Sequence, residues 1–167
     1  WCDEPLAEAL FDEGVNLLSQ GKIPEACTTL DRAVNLAGGT AIGGLLMLAE
    51  CREKEGRTAT AWATYRRAVA AARRSGDPRE IKAQDAVGRL EPTLARVRVD
   101  IAASVVVRPD LKVRLGGATL PREAWGVAVP VDPGHLLVEA ELPGVPGWNT
   151  NLVVEAAKPL YVVAIPS

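Results

Sequence analysis

The sequence has few of the residues from which metal centres are built. Its 167 residues include one histidine, His135, and three cysteines that form no C-x-x-C pair. Because a zinc site draws several Cys or His ligands together, His135 cannot complete one by itself. The sequence therefore predicts neither a metal site nor a bound cofactor.

The chain also lacks a long apolar run and an excess of charge of one sign. No apolar stretch reaches the roughly 18 residues that cross a bilayer, so no transmembrane segment is predicted. The 19 basic and 21 acidic residues give a formal charge of −2. That balance gives no basis for binding nucleic acid or an anionic membrane. Because the chain begins at Trp1, we expect that it was trimmed or that a signal sequence has been removed.

The residues that could carry catalysis do not form a recognisable pattern. His135 follows a turn at 132–134 and has no serine or cysteine nearby, which predicts a solvent-exposed histidine. The glutamates between 50 and 55 alternate with basic residues, as on a salt-bridged helix face. Neither Gly38-Gly39 nor Gly116-Gly117 joins a strand to a helix, as a phosphate-binding loop would. We predict that the protein is not an enzyme.

The first half of the chain repeats itself at a shift of 35 residues. A period near 34, with a glycine between two apolar helical patterns, is typical of paired-helix repeats. The apolar spacing predicts helices at about 4–20, 24–37, 41–55, 58–74 and 78–91. The identical pairs are Leu10 with Leu45, Gly21 with Gly56, Ala26 with Ala61, Thr29 with Thr64, Arg32-Ala33-Val34 with Arg67-Ala68-Val69, and Ala37 with Ala72.

These residues resemble the tetratricopeptide family, whose members are binding scaffolds. The first copy reads Gly14-x2-Leu17-x3-Gly21-x4-Ala26-x3-Leu30-x2-Ala33, and the second reads Ala49-x2-Arg52-x3-Gly56-x4-Ala61-x3-Tyr65-x2-Ala68. The resemblance implies a helical domain over 1–92 with two repeats, at about 7–40 and 42–75, and a capping helix at 78–91. Such a helix closes the array, since the last pair would otherwise expose its inner face.

In that family the first helix of each pair lines a groove that binds a short peptide. The resemblance therefore implies a partner-binding surface, although three of its apolar members could instead complete the core. Carried onto this chain, its residues are Phe11, Val15, Leu18, Leu46, Glu50, Glu53 and Lys54.

The resemblance also bears on the cysteines, because it makes the second and third helices packed neighbours. Cys27 and Cys51 both lie close to small residues on these helices, so we expect a disulfide between them and a free thiol at Cys2. The alternative is that Cys27 and Cys51 are buried and reduced. Because a disulfide persists in an oxidising compartment, the bridge would place the protein in the periplasm or at the cell surface.

From Arg96 onward the apolar period changes to two, which is typical of strands. Six or seven short alternating segments, separated by Pro and Gly turns, predict a small antiparallel β-sandwich over 95–167. The fold class is thus α+β with two domains. Since Leu94 continues a helical face and Val97 begins a strand, we expect a very short connection that holds the domains nearly rigid.

This second half resembles the PEGA-type β-domains of bacterial envelope proteins, which are small prealbumin- or immunoglobulin-like sandwiches. The residues that carry the resemblance are Val113–Gly117, Trp125-Gly126, and Val131–Gly134 ahead of Val138–Ala140. The combination of a tetratricopeptide-like N-terminal half and a PEGA-like C-terminal half implies a protein of the bacterial envelope.

The tryptophans leave a second function open. Trp62 is expected in the helical core, whereas Trp125 and Trp148 lie beside turns, where they could stack on a sugar or close the end of the sandwich. The sequence thus favours a non-catalytic interaction scaffold that binds a protein or peptide partner. The alternative is a carbohydrate- or cell-wall-binding module.

Overall fold

The structure is a computed structural model that describes residues 4–156 and 158–167. It confirms the predicted order of helices followed by strands. The chain divides into two compact units between Thr93 and Leu94. The prediction of a free thiol at Cys2 lies outside the described residues.

The first unit is an array of five antiparallel helices. Each packs on the next in the chain, so that sequence neighbours are neighbours in space. A single 3-10 turn at Glu91–Thr93 ends the unit. The helices are α1 (Glu4–Ser19), α2 (Ile23–Leu36), α3 (Ile42–Lys54), α4 (Thr58–Ser75) and α5 (Arg79–Leu90).

The internal repeat is visible in the backbone that ends α1 and α3. Gly21 and Gly56 adopt φ values of 75° and 81°, a left-handed conformation that glycine reaches without a side-chain clash. In both copies the glycine N–H donates three residues back, and the following N–H donates five residues back. This is the Schellman cap, and it lets α2 and α4 turn back along their partners.

Helix α1 approaches α2 closely at Gly14. A Cβ atom at this position would lie 2.7 Å from Cγ of Leu30, well inside van der Waals contact. The equivalent positions in the second copy, Ala49 and Tyr65, are also buried. Residue size at these two positions therefore sets how closely the helices of each pair pack.

The second unit consists of two sheets around one apolar core. Its alternate inward residues, among them Val97, Val113 and Val138, are almost completely buried. Its elements are β1 (Ala95–Ile101), α6 (Ala103–Val106), β2 (Lys112–Leu115), β3 (Ala118–Thr119), β4 (Val129–Val131), β5 (Gly134–Glu141), β6 (Trp148–Val154) and β7 (Leu160–Ile165).

The strand order differs in one respect from an antiparallel sandwich. One sheet has the order β3-β2-β5-β6 and is antiparallel, but the other has the order β4-β1-β7 and pairs β1 with β7 in parallel. Parallel neighbours need a long crossover connection. In this unit the chain between β1 and β7 forms that connection, because it includes the strands of the antiparallel sheet before β7 pairs with β1.

Candidate functional site

The predicted groove residues fall into an apolar part and a charged part. On α1, Phe11, Val15 and Leu18 are half-buried and pack against the helical core. Leu46 on α3 is only 6% exposed, so its side chain belongs to that core. Lys54, in the last turn of α3, is exposed. The apolar surface available to a partner is therefore provided by α1.

The two glutamates of the predicted groove are held by α5. Glu50 accepts a hydrogen bond from Lys82 Nζ at 2.8 Å. Glu53 binds both terminal guanidinium nitrogens of Arg89, each at 2.8 Å. These contacts link α3 to the closing helix, so both carboxylates already have cationic partners.

Glu53 accepts a third hydrogen bond, which comes from Tyr65 Oη at 2.8 Å. The hydrogen bonds from Arg89 lower the pKa of Glu53, burial opposes this, and the bond from Tyr65 lowers it further. Burial raises the pKa of Tyr65, and its hydrogen bond to the carboxylate adds to the rise. The cluster therefore holds an ionised glutamate and a neutral tyrosine at neutral pH.

A cavity opens beside Phe11, between α1, the end of α2 and the start of α3. Its volume is about 440 Å³, which is within the range of ligand pockets. Small residues make most of the lining, so that backbone and Cβ atoms form its walls, and two glutamates stand at its rim. The lining residues are Glu4, Ala7, Glu8, Phe11, Ala33, Val34, Ala37, Ala41, Gly43 and Gly44.

A disulfide joins α2 to α3. The Cα atoms of Cys27 and Cys51 lie 5.5 Å apart, within the range that a bridge requires, and both residues are fully buried. The bond crosses from the first repeat to the second. It therefore fixes the start of α2 relative to the end of α3, at the opposite end of these helices from the cavity.

In the β unit a second cavity of about 360 Å³ is lined by Asp100, Ile101, Val106, Trp125 and Gly126. The indole of Trp125 donates to the carbonyl of Leu120 at 3.1 Å. The guanidinium of Arg122 lies 4.5 Å from the ring centroid. Trp125 is therefore tied into the fold, and only part of its ring is open to a ligand.

Trp62 and Trp148 are partly buried as well. Trp62 packs against the helical core, and Trp148 packs against the core of the β unit. His135 is exposed on β5, opposite Val153. Over the described residues, no group of three or more His, Cys, Asp or Glu side chains could hold a metal ion.

No family model matches this sequence, and no curated protein matches it. Within the described part of the chain, no helix is long and apolar enough to cross a membrane.

Several residues of the site were not found from the sequence. Arg89, Lys82 and Tyr65 were not connected to the groove glutamates, because their contacts span 12 to 36 residues and depend on how α4 and α5 pack beside α3. Glu4 and Glu8 were also missed. A signal for them was present, because residues 4–19 contain four acidic residues and no basic one.

Proposed function

We propose that the protein is a non-catalytic interaction scaffold of the bacterial envelope, whose helical unit binds a short peptide segment of a partner protein. The observation that carries the proposal is the open cavity beside Phe11, with the apolar side chains of α1 continuing from it. An apolar cleft with charged residues at its edge is the usual form of a site that binds a peptide side chain.

The repeat supports this proposal, because the resemblance to the tetratricopeptide family assigns the same helices to a peptide groove. The Cys27–Cys51 bridge supports an oxidising compartment, since intracellular thiols are normally kept reduced. The assignment to the bacterial envelope rests on that bridge together with the resemblance of the β unit to PEGA-type domains.

Screening the oxidised chain on a random peptide array tests the proposal. Phe11→Ala should weaken the best binders at least about tenfold, since an aromatic anchor contributes much of an interface energy. Leu17→Ala is the matched control, because Leu17 is half-buried in the same helix but does not line the cavity. Equal binding by wild type and both folded variants, or no peptide bound above background, would reject the proposal.

The cavity beside Trp125 favours a second candidate function, the binding of a sugar to the β unit. The partly open indole and Asp100 line the same cavity, so they supply an apolar surface and a carboxylate acceptor, which is held in place by two hydrogen bonds from Arg98. A glycan array separates the two candidates. If glycans bind and Asp100→Asn weakens them, while peptides do not bind, the second function replaces the first.

A further inference from the structure

Helix α1 carries a row of carboxylates next to the apolar cavity. Glu4, Glu8 and Asp12 follow one another at intervals of four residues, so they stand on one face of the helix. Ala7, Phe11 and Val15 form the adjacent row at the same interval. The first two carboxylates line the cavity, and so does the apolar row at Ala7 and Phe11.

This acidic row has no cationic partner among the described residues. The ion pairs among the described helices use acidic residues of α3 and α5, Glu55 just after α3, and Asp77 before α5, and none of these pairs includes a residue of α1. A carboxylate in the first turn, such as Glu4, is favoured by the helix dipole. Glu8 and Asp12 lie beyond that turn, and like charges four residues apart repel.

The acidic row and the apolar row together determine what kind of peptide segment fits the cavity. An occupant must place an apolar side chain between α1 and the small residues Gly43 and Gly44 of α3. It must also place charge opposite the carboxylates at the rim. We infer that the cavity binds a cationic amphipathic segment, with an apolar side chain against Phe11 and Lys or Arg side chains facing Glu4 and Glu8. This inference rests on the proposed scaffold function and specifies its partner.

The part of the predicted groove that α3 forms does not share this preference for a cationic segment. The glutamates of α3 are already paired with Lys82 and Arg89, so they present no free negative charge to a ligand. Charge selection is therefore expected at α1 alone.

Short synthetic peptides test the inference. Three sets share one apolar spacing and differ only in having Lys, Gln or Glu at the charged positions. The Lys set should bind the oxidised chain most tightly, and its affinity should fall as sodium chloride is raised. The double variant Glu4→Gln with Glu8→Gln should weaken the Lys set by about threefold to tenfold and leave the Gln set unchanged.

The matched control is Asp85→Asn with Glu123→Gln, which changes the net charge equally at exposed positions that do not line the cavity. It should retain wild-type affinity for the Lys set. Equal loss in both double variants would mean that net charge alone steers binding, and it would overturn the inference. If the Gln or Glu set binds as tightly as the Lys set, the inference fails but the scaffold function stands. If no set and no array peptide binds, both fail.

Discussion

Gly14 shows how one residue determines the spacing of a helix pair. The Cβ of an alanine would lie 2.7 Å from Leu30 Cγ and 3.3 Å from the Leu30 backbone nitrogen. The two contacts below 3.0 Å are to the Leu30 side chain and the third is to its backbone, so the side chain would have to move and the two helices would have to separate slightly. The sequence repeat indicated that this position is small, but not that only a hydrogen atom fits.

Gly14→Ala should therefore lower the free energy of unfolding by about 1–2 kcal/mol, because the overpacking exceeds the gain in helix propensity. Gly88→Ala in α5 is the control. The structure describes no atom within 4 Å of its added Cβ, so that variant should be stabilised by about 0.5–1 kcal/mol. Chemical denaturation measures both, and a Gly14→Ala variant as stable as Gly88→Ala would contradict the packing described for α1 and α2.

The Glu53 cluster predicts a dependence of stability on pH. Because the folded pKa of Glu53 lies below its ordinary value of 4.5, its contribution is present above that pH and is lost as the pH falls through the folded value. Denaturation from pH 7 down to acid should show a smaller loss of stability in Glu53→Gln than in wild type. Identical pH profiles would show that Arg89 does not hold the carboxylate.

At the scale of elements, the helices were easier to predict than the strand pairing. The 35-residue register marks the caps at Gly21 and Gly56, since these depend on local backbone conformation. The strands of the β unit were also visible as alternation. Their pairing was not, because the parallel match of β1 with β7 joins residues 64 apart, as Arg96 with Leu160, and no local pattern encodes it. The short elements α6 and β3 were not predicted from the sequence, because they contain too few residues to show an apolar period.

The link between α2 and α3 gives the clearest prediction at this scale. The bridge closes a loop of 24 residues, which in the chain-entropy model contributes about 3 kcal/mol. Reduction should lower the denaturation midpoint of the helical unit, and Cys27→Ala with Cys51→Ala should reproduce the effect without reductant. Thiol counting under denaturing, non-reducing conditions checks the bond itself. One thiol per chain agrees with the bridge, whereas three would remove it and the argument for an oxidising compartment.

For the whole molecule, the sequence was enough to predict helices followed by strands, but not the candidate site. The resemblance points to Phe11, yet the cavity beside Phe11 depends on Gly43 and Gly44 of another helix. Its acidic rim depends on which face of α1 remains uncovered. The cavity and its acidic rim both depend on how the helices pack, and the apolar spacing of one helix does not encode that packing.

The most direct test of the scaffold function is residue-resolved NMR on the oxidised, ¹⁵N-labelled chain, titrated with the tightest peptide from the array. We predict saturable amide shifts along α1 at Phe11 and Val15 and at the start of α3 near Gly43 and Gly44. Phe11→Ala should remove these shifts, whereas Leu17→Ala should retain them. Shifts confined to residues 94–167, or none at peptide concentrations that saturate the array signal, would contradict the scaffold function.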